Sequence, residues 1–423
     1  MSSIGINIGN QTCKVGVYLK QSVQILQNDE GNNYTYAYVQ FNDKQVLIGD
    51  SAMDAFALNP QNTIFNINSL FNLKANSEDY EDSTKQFLFK VFKNDENQQR
   101  IKINLKHSSK NYSFDDIYQI LIYKMKSLAD KYLETRIKNV VIAIPLSFNE
   151  FKVNMMKKSA IKAGFKNIRF ISEPIAACQA YQLTNGNICV LDFGATKFNS
   201  TIVRGDEGIF QILGVNEVPI GGNDIDELIF NQIAEKFQLQ HNRDIKQSLQ
   251  SVLRLKRLCQ LAKHNLSTMQ TTQIDEDSIY DGINLCQSVY QSQLEDISIN
   301  LFNQVLQSIN STLLSAQLTK KQIQYVVIAG GSCRIPKFQQ LVKDYFQMNI
   351  MNTINPEEVM THGATLQAKK LFSIPVDEQD LVKSQQAVEN QDNLNSYCSK
   401  CCLLFLVTAL LGLLSIVVIL LKK

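Results

Sequence analysis

Tryptophan is absent from this 423-residue chain, and charged residues make up only 19% of it, below the ~25% usual for globular proteins. Asn and Gln fill much of the missing polar share. Neither sign of charge prevails: 42 basic residues stand against 40 acidic ones, a formal net charge of +2. That balance leaves no basic footprint for nucleic acid. His107, His241, His264 and His362 share no metal-ligand spacing, so no metal cluster is expected. The nine Cys are scattered, apart from Cys398, Cys401 and Cys402, and free thiols are expected rather than a disulfide framework. Met1 to Asn7 shows no basic stretch followed by an apolar run, so a cleaved secretory signal is not expected.

What is present begins with length. With 44% hydrophobic residues, the chain is long enough for roughly two or three domains and a sizeable core. Its C-terminus carries the loudest signal. Residues 401–421 hold no charge and are nearly all Leu, Val, Ile and Phe, between Lys400 and Lys422-Lys423. About 20 such residues span a bilayer as a helix. The expectation is a tail anchor with the preceding domain facing the cytosol, on the endoplasmic reticulum or the mitochondrial outer membrane. The polar segment 376–400 reads as a linker, and Cys398, Cys401 and Cys402 at its junction with the span are candidates for palmitoylation.

Two segments repeat one pattern. Ile4 to Val17 and Ile188 to Val203 each read as an apolar strand, a Gly-containing polar turn and a second strand, which suggests a duplicated domain. Between and after them run apolar stripes at helical spacing. One is Phe114, Ile117, Leu121, Met125, Leu128 and Tyr132 behind Ser113 as N-cap; another starts at Asn149 and ends before Gly164. Short buried strands at Val140–Ile144 and Val326–Ala329 complete an α/β pattern.

Gly-containing turns after strands expose backbone N–H groups that cradle phosphates. Gly9 and Gly194 sit at such turns. Gly221-Gly222 precedes a helix whose N-terminus attracts anions, and Gly330-Gly331-Ser332 lies between a strand and a helix. A tight hairpin needs Gly in any case, so each signal alone is weak; together they point to one polyanion gripped in a cleft.

Several further stretches carry a resemblance. Ile171-Ser172-Glu173-Pro174-Ile175-Ala176-Ala177, Ala329-Gly330-Gly331-Ser332-Cys333-Arg334-Ile335-Pro336-Lys337, Ile354-Asn355-Pro356-Glu357-Glu358-Val359 with His362-Gly363-Ala364, and Ser278-Ile279-Tyr280-Asp281-Gly282 resemble motifs of the heat shock protein 70 (DnaK-type) chaperones, in the family's order. The resemblance covers about residues 4–375. It implies an α/β, actin-like ATPase fold: two lobes, about 1–185 and 186–375, around a cleft for ATP or ADP with Mg²⁺. Carried across, Gly9, Asn10, Gln11 and Thr12 with Gly194, Ala195, Thr196 and Lys197 would embrace the phosphates. Gly221 and Gly222 would approach the phosphate and ribose, and Lys263 would hold the ribose side. Gly330, Gly331, Ser332 and Arg334 would enclose the adenine, Arg334 stacking on it.

The chain departs from the family where charge matters. Asn7 and Asn199 stand where the family has Asp, Asn68 where it has a phosphate-contacting Lys, and Gln260 and His264 where it has Glu and Arg. Glu173 and Asp192 survive as catalytic candidates. Asp192, with Asn7 beside it, is the expected remnant of a weakened Mg²⁺ site. Phosphoryl transfer depends on positioned charge, so nucleotide binding is expected with slow or absent hydrolysis. Lys197 is a candidate to replace the charge lost at Asn68; the alternative is a solvated turn residue. With about 20 residues between the cleft domain and the expected anchor, the family's peptide-binding domain is not expected there. The reading is a membrane-tethered chaperone regulator or co-chaperone; a slow ATPase, a nucleotide-free scaffold and, more weakly, a sugar kinase remain as alternatives.

Overall fold

The structure is a computed structural model that describes residues 2–72, 84, 87–95 and 98–373. The expected linker and anchor at 376–400 and 401–421 lie outside the described residues. Among the described residues no helix is long and apolar enough to cross a membrane.

Both expected hairpins form. Strand Ser3–Ile8 pairs antiparallel with Thr12–Leu19 and parallel with Asn139–Ile144, which in turn pairs with Asn167–Ser172. The second half repeats the plan: Gly186–Phe193 pairs antiparallel with Phe198–Asp206 and parallel with Tyr325–Ala329. Parallel strands covered on both faces read as continuous apolar runs, and Val140, Val141 and Ile142 are fully buried. Each sheet has its own core. One draws on residues between Ile4 and Ile168, the other on residues between Cys189 and Ile350. This mixed α/β architecture is consistent with the actin-like ATPase fold.

The helices start where local chemistry dictates. Ser113 and Asp116 form a reciprocal capping box at Phe114–Tyr132, satisfying N–H groups that would otherwise lack partners. Its buried face carries Phe114, Ile117, Leu121, Met125 and Leu128. Tyr132, expected on that stripe, lies exposed in the last turn and donates its hydroxyl to Gln24 at 3.0 Å. At Glu150–Lys162 the Asn149 side chain accepts from the Lys152 N–H at 3.0 Å.

One helix packs tightly against the first half. Val359–Phe372 crosses so close to Glu173–Ala180 that a Cβ on Gly363 would lie 1.8 Å from the Ala176 carbonyl oxygen. No side chain fits there without moving backbone. We predict that Gly363→Ala destabilises the domain by ~1–3 kcal/mol or more, the usual cost of overpacking. Thermal unfolding reads this directly, and an unchanged midpoint would disprove the tight crossing.

Candidate functional site

The two hairpin turns close in the same way. The Gly9 N–H donates to the Thr12 carbonyl at 2.9 Å, and the Gly194 N–H donates to the Lys197 carbonyl at 3.0 Å. They meet across the cleft: the Asn10 side-chain amide donates to Thr196 Oγ1 at 2.6 Å, while Asn10 Oδ1 accepts from the Ser69 N–H at 2.9 Å. A Cβ at Gly9 would meet only the Thr12 carbonyl, at 3.0 Å, and one at Gly194 only the Lys197 carbonyl, at 3.4 Å. Both glycines otherwise face open space.

Gly221 and Gly222 serve packing as much as any ligand. A Cβ on Gly221 would lie 2.2 Å from the Ala195 carbonyl oxygen. The Gly222 and Asn223 N–H groups donate to the carbonyls of Gly194 and Ala195 at 2.9 and 2.8 Å. The helix Gly222–His241 thus grips the second turn by its backbone, and Asp224 accepts from the Gly221 N–H at 2.7 Å. Lys263 is buried; its ammonium donates to the Gly222 carbonyl at 2.7 Å and to Asp226 at 2.8 Å. Gly330 adopts φ +87°, a conformation open to glycine, and its N–H donates to the Pro356 carbonyl at 2.8 Å. Ser332 Oγ donates to the Gly194 carbonyl at 3.0 Å. Arg334 stands apart from these: its guanidinium pairs with Glu357 at 3.2 Å and is 41% exposed, and it does not line the cleft beside Gly330, Gly331 and Ser332.

The surviving carboxylates are buried together. Burial first, then repulsion from Asp192, pushes Glu173 up to about 8; burial likewise raises Asp192. Neighbouring amides serve as donors to them. Asn7 donates to Glu173 at 3.1 Å, and Asn199, directly across the hairpin from Asp192, hydrogen-bonds it. The Lys197 ammonium lies near enough to favour ionisation of both acids, and is paired with Glu217 at 2.5 Å. Asn68 lines the cleft with both polar atoms of its side chain engaged by protein partners. Its amide donates to the Ile8 carbonyl at 2.8 Å and its oxygen accepts from the Tyr118 hydroxyl.

A family model described as Hsp70 protein matches residues 3–383. The chain belongs to the Hsp70 family. It is 35% identical over 378 residues to heat shock cognate 70 kDa protein 3 of Dictyostelium discoideum, covering 87% of this chain and 60% of that protein. It is 32% identical over 373 residues to heat shock 70 kDa protein of Neurospora crassa, covering 86% of this chain and 58% of that protein. The chain therefore spans about three fifths of the length of these relatives. Members of the family bind ATP or ADP with Mg²⁺.

The Hsp70 cleft of this chain fits a nucleotide by its geometry: two open glycine turns, with Gly331, Ser332 and Lys263 lining the wall beside them. Toward Mg²⁺ it presents the Asp192 carboxylate, which faces both the Asn199 amide and the field of Lys197, with the Asn7 amide beside Glu173. Lys14, Glu217, Asp226 and Glu357 escaped sequence reading. Lys14 alternates with Thr12 along one strand and lines the same cleft, so the period of two was the signal that pointed to it.

His264 also lines the cleft. Burial, then the neighbouring Lys263 ammonium, depresses it from 6.5 to about 4, against an opposing pull from Glu357. Its folded affinity for a proton is below its unfolded one. The stability it contributes is thus complete above pH ~6.5 and is lost as pH falls toward ~4. Urea titrations of nucleotide-free protein should show the parent losing stability relative to His264→Gln between pH ~7 and ~5. Parallel pH profiles for the two proteins would refute this burial of a neutral imidazole.

Proposed function

We propose that this chain is an ATP-binding Hsp70-family module tethered to a membrane, with weak or lost hydrolysis, that regulates other chaperones in protein folding. Its nucleotide-binding domain is 1–375, with lobes meeting near residue 185, followed by a linker at 376–400 and an anchor at 401–421. One observation carries the catalytic part: Asn68, at the position of the family's phosphate-contacting Lys, lines the cleft as a neutral amide already hydrogen-bonded to the Ile8 carbonyl and the Tyr118 hydroxyl. Losing a single preorganised charge typically costs ~10²–10³ in rate, and Asn7 and Asn199 remove two more.

In this reading the turns Gly9–Thr12 and Gly194–Lys197 hold the phosphates by backbone N–H groups and by the Lys197 charge. Lys263 stays on its Asp226 partner and supports the ribose wall. Gly330, Gly331 and Ser332 receive the base, with Arg334 swinging from the rim to stack on it. A bound Mg²⁺ would neutralise phosphate charge; Asp192 and Asn7 are the oxygen donors for it, a weakened set with a single carboxylate. Retention of Glu173 and Asp192 favours one alternative, a slow but competent ATPase.

Calorimetry on the full chain in mild detergent should detect ATP and ADP, and single-turnover phosphate release should be at or near that of Glu173→Gln. Rapid release by the parent and not by the variant would establish the ATPase instead. No heat with either nucleotide would favour the scaffold reading. The membrane part has its own test. A fluorescent fusion of the full chain should sediment with membranes, and deleting 401–421 should release it; sedimentation unaffected by the deletion would overturn the anchor.

A further inference from the structure

Resting on the nucleotide reading above, we infer that two lysine ammonium groups, Lys14 and Lys197, take the place of the divalent cation, so that this cleft binds ATP and ADP free of metal. Two ammonium groups carry the charge of one Mg²⁺. Each sits at the foot of one phosphate turn, Lys197 closing the second turn and Lys14 two residues beyond Thr12 in the first.

Lys14 is an unusual residue for its place. It lies on the second strand of a buried hairpin, and its side chain is only 6% exposed. An ammonium kept out of water needs counter-charge and hydrogen-bond acceptors. Lys14 has a carboxylate in range but few acceptors. It donates to Thr12 Oγ1 at 2.8 Å and faces the Tyr34 ring with its nitrogen 5.7 Å from the centroid. Its carboxylate neighbour, Glu357, stands 3.7 Å away and already pairs with Arg334 at 3.2 Å. A separation of 3.7 Å is too long for a hydrogen bond. An ammonium has three donors, so acceptor capacity is missing on the cleft side, where a polyphosphate would supply it.

Lys197 completes the pair from the opposite turn. Its side chain is 17% exposed and is held by Glu217, which is itself 43% exposed. The same ammonium opposes a metal. A Mg²⁺ placed against Asp192 would sit within the repulsive field of Lys197, with Asn199 already hydrogen-bonded to that carboxylate. Thus the substitutions that weaken a metal site and the cations that replace it share one location.

The test is calorimetry of the full chain in mild detergent, with ATP and with adenosine, in excess Mg²⁺ and in EDTA. ATP should bind in EDTA within about tenfold of its affinity in Mg²⁺. Lys14→Met and Lys197→Met should each weaken ATP binding in EDTA by about tenfold and leave adenosine binding unchanged. Adenosine serves as the check that each variant is folded, and the comparison of buffers on the parent protein needs no variant. ATP binding that drops more than a hundredfold in EDTA overturns the inference and leaves the nucleotide reading intact. So does parental ATP affinity in both variants. Absence of binding by ATP and adenosine in both buffers overturns the two together.

Discussion

Backbone approach between the second phosphate turn and the helix behind it is the constraint on which the cleft depends. Gly222 and Asn223 donate to the carbonyls of Gly194 and Ala195, and a Cβ at Gly221 would collide with Ala195. Because those carbonyls are satisfied from behind, the turn is held rigidly with its other face toward the opposite lobe. Asn10 reaches that face from the first turn and joins it to Thr196. The glycines here are therefore structural before they are ligand-binding, and any ligand in the cleft inherits a site already shaped.

Charge is handled differently from shape. Burying two carboxylates together is costly, and Glu173 and Asp192 both respond by holding their protons more tightly. Neutral amides beside them add donors without further repulsion: Asn7 bonds Glu173, and Asn199 bonds Asp192. Positive charge beside the turns is carried by Lys14, on the second strand of the first hairpin, and by Lys197, in the turn of the second, under partial shielding from Glu357 and Glu217.

Much of the fold was legible from local pattern. The two hairpins, the caps at Ser113 and Asn149 and the buried strands at Val140–Ile144 and Val326–Ala329 all form as their residues indicate. Tyr132 was misread because spacing alone cannot say where a helix runs past its core. At the site, the glycine turns were legible and their partners were not. Gly221-Gly222 was read as a phosphate approach, yet its N–H group at position 222 is already taken by the Gly194 carbonyl. Arg334 rests on Glu357 at the rim, a partner that local pattern did not announce.

The sequence by itself determined which segments are strands, turns and helices, and which acidic and basic groups are missing, since these follow from periodicity, capping and residue identity. Only the tertiary structure decided where the remaining charges go. Lys14 with Glu357, Asn7 with Glu173 and Lys263 with Asp226 are pairs distant in the chain. An ion pair or hydrogen bond acts over a few ångströms and is blind to sequence order, so its partners become known when the lobes have packed.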